Sequence, residues 1–328
     1  MSYKVKIKST GSYVPERVLS NQKISSFVQT TPEWIFSKLG IHERRIANDD
    51  EATSDMALIA AQRALHSAKM QPSELELIVL ATATPDRLAP STAAILQGKL
   101  GVLSAAAFDI SAVCSGYIYA QSIASSMIES GMVSNALVIG VDRFSGITDW
   151  SRRDCIFFGD GAGATILERS DIQSKSEILV QKLYADGKGW QAFTVPAGGS
   201  EMPSTVETLK NGNQFFQMDG KAVFDTATLV LPAIIDECLG ELGIDVNDID
   251  HVVPHQPSVN ILKKTAEITG IPWEKFHTNM DRYANTSGAT IPLILDEVNK
   301  QGKLKRGDLI LMIAVGSGWT WGASILRW

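Results

Sequence analysis

The hydrophobic and polar positions of this chain switch between two rhythms. Across residues 54–68, Leu58, Ala61 and Leu65 fall on one helical face, and the run Leu75-Glu76-Leu77-Ile78-Val79-Leu80 that follows reads as a strand. Ala105-Ala106-Ala107-Phe108-Asp109-Ile110 is again strand-like. After it Ala120, Ile123, Ala124, Met127 and Ile128 recur at helical spacing until Gly131 ends the run. Ala136-Leu137-Val138-Ile139-Gly140-Val141 then has the unbroken apolar character of a buried strand. Strands interleaved with helices of this length predict an α/β protein built from parallel β-α units in layers.

The second half repeats the first. Ser73 to Val79 matches Asn247 to Val253 at an offset of 174 residues, Gly131 matches Gly302 at 171, and Leu137-Val138-Ile139 matches Leu309-Ile310-Leu311 at 172. Three matches in chain order at nearly one offset predict an internal duplication, with one half over 1–172 and the other over 173–328. The length of 328 residues suits two such halves sharing a core.

Composition narrows the function. A net charge of -6 argues against a nucleic-acid surface, which needs clustered Lys and Arg to release counterions. The three cysteines, Cys114, Cys155 and Cys238, are odd in number and far apart, and Met1-Ser2-Tyr3-Lys4 opens no secretory signal, so a reducing cytoplasm is expected. No apolar run approaches the roughly 20 residues of a membrane span.

The candidate chemistry centres on Cys114, which lies where the strand-like run 105–110 gives way to a helix. A thiol there faces unpaired backbone N–H groups and the positive end of the helix dipole, which favours thiolate. An offset of 171 carries Cys114 onto Asn285, just before the helical face of Ile291, Ile294, Leu295 and Val298. Pro292 fits that helix only near its first turn. An offset of 174 carries Ala81 onto His255, at the carboxyl end of the strand Val252-Val253, the end at which open α/β layers place ligands. Taken singly, Cys114 reads as a small buried hydrophobe, Asn285 as a helix cap and His255 as a turn residue. Together, at equivalent corners of duplicated units, they read as one Cys-His-Asn constellation. The string Gly159-Asp160-Gly161-Ala162-Gly163 leads into Ala164-Thr165-Ile166-Leu167 and not into a helix, so close packing explains it better than phosphate binding.

The segments Asp109-Ile110-Ser111-Ala112-Val113-Cys114-Ser115-Gly116, Val253-Pro254-His255-Gln256-Pro257 and Tyr283-Ala284-Asn285-Thr286-Ser287 resemble the Cys-His-Asn site of the β-ketoacyl-(acyl-carrier-protein) synthase III family. Phe158 to Ala164 and Gly316-Ser317-Gly318-Trp319-Thr320-Trp321-Gly322 resemble it too, and the likeness runs from Val5 to Trp328. The resemblance implies a duplicated thiolase-like fold layered α-β-α-β-α. It implies an acyltransferase without a cofactor, whose substrates are an acyl-coenzyme A primer and a malonyl thioester on acyl carrier protein or coenzyme A.

In that chemistry Cys114 takes the acyl group, and the N–H donors of His255 and Asn285 stabilise the enolate left when malonyl loses carbon dioxide. A neutral amide at Asn285 suits an enolate better than a carboxylate would. The backbone N–H groups of Cys114 and Ser317 form the second oxyanion hole. For coenzyme A, the resemblance assigns Trp34 and Arg152 to the two faces of adenine and puts Lys38 where an arginine is usual, losing the planar fork. Ala89 replaces a phenylalanine that closes the acyl pocket across a homodimer, which implies a primer longer or bulkier than acetyl. Asn260 and Asp225 replace basic residues that meet the acidic carrier protein, with Lys263 and Lys264 as candidate compensation. Three other readings are a specialised condensing enzyme or acyltransferase of the same fold in secondary metabolism, a catalytically silent subunit and a papain-like hydrolase. The last of these is disfavoured by the repeat architecture.

Overall fold

A computed structural model describes residues 3–170 and 174–328, so the expected boundary between the halves at 172/173 lies outside the described residues. The first half builds a five-stranded sheet from β1 (Val5–Tyr13), β2 (Leu77–Ala81), β3 (Ala106–Ile110), β4 (Asn135–Arg143) and β5 (Asp160–Arg169), in spatial order β1-β5-β4-β2-β3. The second builds a four-stranded sheet from β6 (Glu177–Ala185), β7 (His251–Pro254), β8 (Leu309–Gly316) and β9 (Thr320–Arg327), in order β7-β8-β9-β6. In both, a parallel pair (β2 with β4, β7 with β8) is followed by an antiparallel pair (β4 with β5, β8 with β9). The expected duplication is therefore present strand for strand, with one departure. Where β3 pairs with β2, the second half has a single bridge, Val252 to Phe276.

Five layers result. Helices α1 (Thr53–Ala68) and α2 (Thr92–Leu100) cover the outer face of the first sheet. Helix α3 (Gly116–Glu129) lies in the middle, with α4 (Gly220–Leu242) and α5 (Val259–Thr269) on the outer face of the second sheet. Helix α6 (Thr290–Lys300) pairs with α3 in the middle layer. One apolar cluster runs through Leu77 and Val79 of the first sheet, Ala120 and Ala124 of α3, Ile291, Ile294 and Leu295 of α6, and Ile310 and Met312 of the second sheet. Helices packed on both sides cannot be amphipathic in the usual sense, and α3 accordingly buries even Gln121 and Ser125.

Most predicted elements recur with shifted edges. The helix expected over 54–68 is α1, but its core face is Met56, Ala57, Ala60, Ala61, Ala64 and Leu65, and Leu58 is only half-buried. Small alanines let α1 approach the sheet closely, which a search for large apolar residues undervalues. The strand expected from Leu75 starts at Leu77, because Pro72–Glu74 forms a 3-10 turn. Pro292 is the third residue of α6, within its first turn.

The glycine string also packs as expected. Gly163 lies within β5, and a Cβ there would sit 2.6 Å from Leu293 N and 2.7 Å from Pro292 C, so α6 rests directly on the strand backbone. Among the described residues no helix is long and apolar enough to cross a membrane. Gly163→Ala forces α6 off β5 and is expected to destabilise the protein by about 1–3 kcal/mol in chemical denaturation. An unchanged midpoint would show that the helix yields freely.

Candidate active site

Cys114 gains its position from strained backbone. The chain leaves β3 at Ile110, and Val113 adopts φ 45°, a left-handed conformation that a β-branched side chain disfavours. Cys114 follows in the turn Val113–Ser115 that opens α3. The second half repeats this device: Ala284 has φ 57° and the next residue is Asn285. The offset of 171 thus relates not only the functional residues but also the strained residues that present them.

The neighbours of Asn285 fix its orientation. Its Oδ1 accepts from the Ser287 N–H at 2.8 Å, which leaves the amide N–H₂ for the cavity. Its backbone N–H donates to Phe157 O at 3.1 Å, and its own carbonyl accepts from Gly159 N at 3.0 Å. His255 follows β7, its N–H donating to Ile313 O at 2.8 Å, and its ring is buried. Nδ1 lies 3.0 Å from Thr290 Oγ1, and in the resting structure the Thr290 hydroxyl donates to the Ser287 carbonyl. When Thr290 donates to Nδ1 the neutral ring carries its proton on Nε2, and when Nδ1 donates instead Nε2 is bare. The rotation of one hydroxyl therefore selects the tautomer.

Cys114, His255 and Asn285 all line one cavity of about 240 Å³. Its mouth includes Lys38 and Asn260, its apolar wall includes Phe157, Phe158 and Phe193, and Gly316 and Ser317 face the Cys114 corner. A Cβ at Gly316 would come 3.0 Å from Cys114 N and 2.7 Å from Ala112 O, so the terminal glycine loop closes against the nucleophile's backbone. The Ser317 hydroxyl is tied back to Phe193 O at 2.6 Å.

Burial sets the electrostatics. It pushes the Cys114 thiol from its ordinary 9.0 up to about 12, opposed by a hydrogen bond to Ser287 and reinforced by the nearby Asp142 charge. That rise corresponds to about 4 kcal/mol. A helix N-terminus contributes up to about 2 kcal/mol even in a partly buried site. The expectation that helix placement makes Cys114 a thiolate is thereby corrected: desolvation wins, and the resting sulfur is a thiol. Burial likewise pulls His255 down to about 3, so its imidazole is neutral.

Two buried neighbours of the constellation escaped the sequence reading. Asp142, fully buried at the end of β4, is raised to about 6 by desolvation. Its Oδ1 accepts from Ala83 N at 2.7 Å and from the Thr82 and Thr84 hydroxyls at 3.1 Å; Oδ2 accepts from Gly288 N at 3.0 Å. Ser287, at φ 52°, accepts from Cys114 Sγ at 3.6 Å. The available signals were a carboxylate directly after the apolar run 136–141 and a serine two residues beyond Asn285.

The peripheral assignments fare unevenly. Trp34, in the short helix Pro32–Leu39, is half-buried, and it is Arg153 whose guanidinium stacks on it at 3.8 Å. Arg152 is instead held by Asp154 at 2.8 Å. Lys38 is exposed at the mouth and its carbonyl accepts from Asn260 Nδ2 at 3.0 Å. Asp225 is paired with Lys221, Lys264 with Glu267 at 3.1 Å, and Lys263 lies over Trp273. Ala89 is exposed and outside the cavity of its own chain.

Comparison with known proteins places this arrangement among relatives. Residues 108–187 match the model described as 3-oxoacyl-[acyl-carrier-protein (ACP)] synthase III, and residues 239–328 match the model of its C-terminal part. The stretch between them supplies Phe193, Met218, Val223 and Phe224 to the cavity. The chain is 43% identical over 323 residues to the beta-ketoacyl-[acyl-carrier-protein] synthase III of Caldanaerobacter subterraneus subsp. tengcongensis, covering 98% of this chain and 97% of the relative. Among solved structures it is similar to 3-oxoacyl-[acyl-carrier-protein] synthase III from Aquifex aeolicus VF5 (42% identity, TM-score 0.91, covering 99% of this chain and 100% of that one). It is also similar to the priming beta-ketosynthase of the R1128 polyketide pathway (31% identity, TM-score 0.90, covering 99% and 97%).

A neutral thiol makes a direct prediction. Alkylation of Cys114 by iodoacetamide is expected to accelerate about tenfold per pH unit through the neutral range, with no plateau below about pH 10. A plateau near neutrality would mean that the dipole outweighs burial.

Proposed function

The chain belongs to the 3-oxoacyl-[acyl-carrier-protein] synthase III family, and from that premise we propose that Cys114, His255 and Asn285 are the residues that carry out its reaction. The enzyme is an acyltransferase of fatty acid biosynthesis. It condenses an acyl primer with malonyl on acyl carrier protein, releasing carbon dioxide and forming 3-oxoacyl-acyl carrier protein. The observation that supports the assignment is that the three side chains share one cavity, with the Asn285 amide oxygen already spent on Ser287 N.

Cys114 attacks the primer thioester, coenzyme A leaves, and an acyl-thioester remains on the sulfur. Malonyl then loses carbon dioxide, and the enolate oxygen receives hydrogen bonds from Asn285 Nδ2 and His255 Nε2. The second donor exists in the tautomer protonated on Nε2, which requires the Thr290 hydroxyl to turn from the Ser287 carbonyl toward Nδ1. The carbanion attacks the acyl carbon, and the N–H groups of Cys114 and Ser317 donate hydrogen bonds to the oxygen on which negative charge forms.

Coenzyme A docks at the mouth on Trp34 and Lys38. Arg153 already covers the indole at 3.8 Å, so an adenine stacked on that face displaces it and can take the guanidinium on its outer side. The working unit is a homodimer. In support, β3 is an edge strand, and Leu103 and Leu88 near it are 97% and 89% exposed. The partner's Ala89 then bounds the acyl pocket without filling it, which fits primers longer than acetyl.

Asn285→Ala is expected to lower malonyl decarboxylation by about 10²–10³ while Cys114 still acylates, as read by intact mass. Equal loss of both half-reactions would contradict the donor role. Thr290→Val, which removes the hydroxyl at constant shape, is expected to slow decarboxylation more than acylation. Trp34→Ala is expected to raise KM for acyl-coenzyme A by about tenfold with kcat nearly unchanged. A fall in kcat alone would place Trp34 outside the nucleotide site.

A further inference from the structure

The second oxyanion hole draws its two N–H groups from opposite halves of the chain, Cys114 from the first and Ser317 from the second, so their spacing has to be fixed across the join. The backbones meet closely there: a Cβ at Gly316 would lie 2.7 Å from Ala112 O and 3.0 Å from both Cys114 N and Ser115 N. On the outer side the glycine loop is held by Ser317 Oγ, which donates to Phe193 O at 2.6 Å, and by Trp319, which exchanges backbone bonds with Asp186 at 2.7 and 2.9 Å. On the inner side stands Thr320, the first residue of β9. Its Oγ1 lies 2.8 Å from Ser115 Oγ and 3.2 Å from each of Ala112 O and Ser317 O.

Two hydroxyl oxygens at that separation require a proton between them. The fully buried Ser115 donates to Thr320 Oγ1, and the Thr320 proton then goes to the Ala112 or the Ser317 carbonyl. The bond between the two hydroxyls crosses from one half to the other. We propose that Thr320 is a positioning residue: clasped with Ser115, it sets the spacing of the Cys114 and Ser317 N–H groups and so governs carbon–carbon bond formation without governing carbanion formation. The inference rests on the acyl-Cys114 chemistry and the two oxyanion holes proposed above.

The division follows from what each hole leans on. Asn285 is oriented by Ser287 N at 2.8 Å and His255 packs on Thr290 Oγ1 at 3.0 Å, whereas Thr320 reaches Ser115, Ala112 and Ser317. The oxyanion at the acyl carbon needs both of its donors within about 2.7–3.1 Å at once, and hydrogen bonds weaken steeply as they bend. With the clasp lost, malonyl still sheds carbon dioxide, but attack on the acyl carbon slows. The carbanion then takes a proton from water, so the carrier leaves with acetyl in place of 3-oxoacyl and the primer acyl group stays on Cys114.

The test compares what is released with what is joined. Acyl-Cys114 is formed with excess acyl-coenzyme A primer, freed of primer by gel filtration and mixed with malonyl-acyl carrier protein labelled in its free carboxylate. Labelled carbon dioxide and the intact mass of the carrier are followed together. The unaltered enzyme is expected to give equal amounts of carbon dioxide and 3-oxoacyl carrier. Thr320→Val keeps the shape, and Ser115 retains Ala112 O as an acceptor at 2.9 Å, so the buried serine hydroxyl is not orphaned. It is expected to release carbon dioxide within about twofold of the original rate and to form 3-oxoacyl carrier about tenfold or more slower, with acetyl carrier making up the difference.

Thr320→Ser restores the hydroxyl and is expected to restore the coupling. Ser115→Ala is expected to uncouple in the same direction to a smaller extent, since Thr320 still reaches Ala112 O. Carbon dioxide and product slowed together in Thr320→Val, product formed there at the original rate, Thr320→Ser as uncoupled as Thr320→Val, or Ser115→Ala with release and product still equal overturns the clasp and leaves the condensation chemistry standing. No acylation of Cys114 in the unaltered enzyme overturns both.

Discussion

The site depends on a buried carboxylate shared between two halves of one chain. Asp142 sits at the end of β4 in the first half and takes hydrogen bonds from Thr82, Ala83 and Thr84 of that half and from Gly288 of the other. A fully buried charge is tolerable only while its donors stay in place, and removing one partner of such a cluster typically costs about 3–5 kcal/mol. The strand beneath it is cut to match: a Cβ at Gly140 would fall 2.0 Å from Gly288 O. Electrostatics and steric fit thus pin the Asn285 corner to the Cys114 corner with little freedom to slide.

Duplication explains how one architecture yields two unlike functional groups. Val113 and Ala284 occupy equivalent positions and both hold positive φ, so each half thrusts the following side chain into the space between the sheets. One copy presents sulfur and the other an amide. The conformational cost at each corner is of order 1–3 kcal/mol, and the five-layer core that sandwiches α3 and α6 supplies the rigidity that sustains it. Ser287 adds a third left-handed residue whose N–H, carbonyl and hydroxyl reach Asn285, the Thr290–His255 pair and Cys114 respectively.

Desolvation keeps the resting site uncharged at its reacting groups. A thiol held high and an imidazole held low store no ion pair, so charge appears only as bonds change and meets donors already oriented toward it. The mouth is more polar and less constrained, with exposed Lys38 and Asn260. That division suits a substrate whose carrier stays outside while its acyl end goes in.

Periodicity and repeat spacing by themselves determined the α/β class, the duplication and the equivalence of the Cys114 and Asn285 corners, because burial in a layered fold leaves a rhythm in the chain. They also located His255 at a strand's carboxyl end. The missing counterpart of β3, the alanine face of α1 and the partnership of Arg153 with Trp34 were not legible, since each depends on what lies across a gap in space and not along the chain. The ionisation state of Cys114 was misjudged for the same reason: a helix start can be read from local sequence, but desolvation is set by every layer that closes over the sulfur. Asp142 and Ser287 join the site only through tertiary packing, which brings Gly288 N to Asp142 across 146 positions and Ser287 to Cys114 across 173, distances along the chain that no local pattern records.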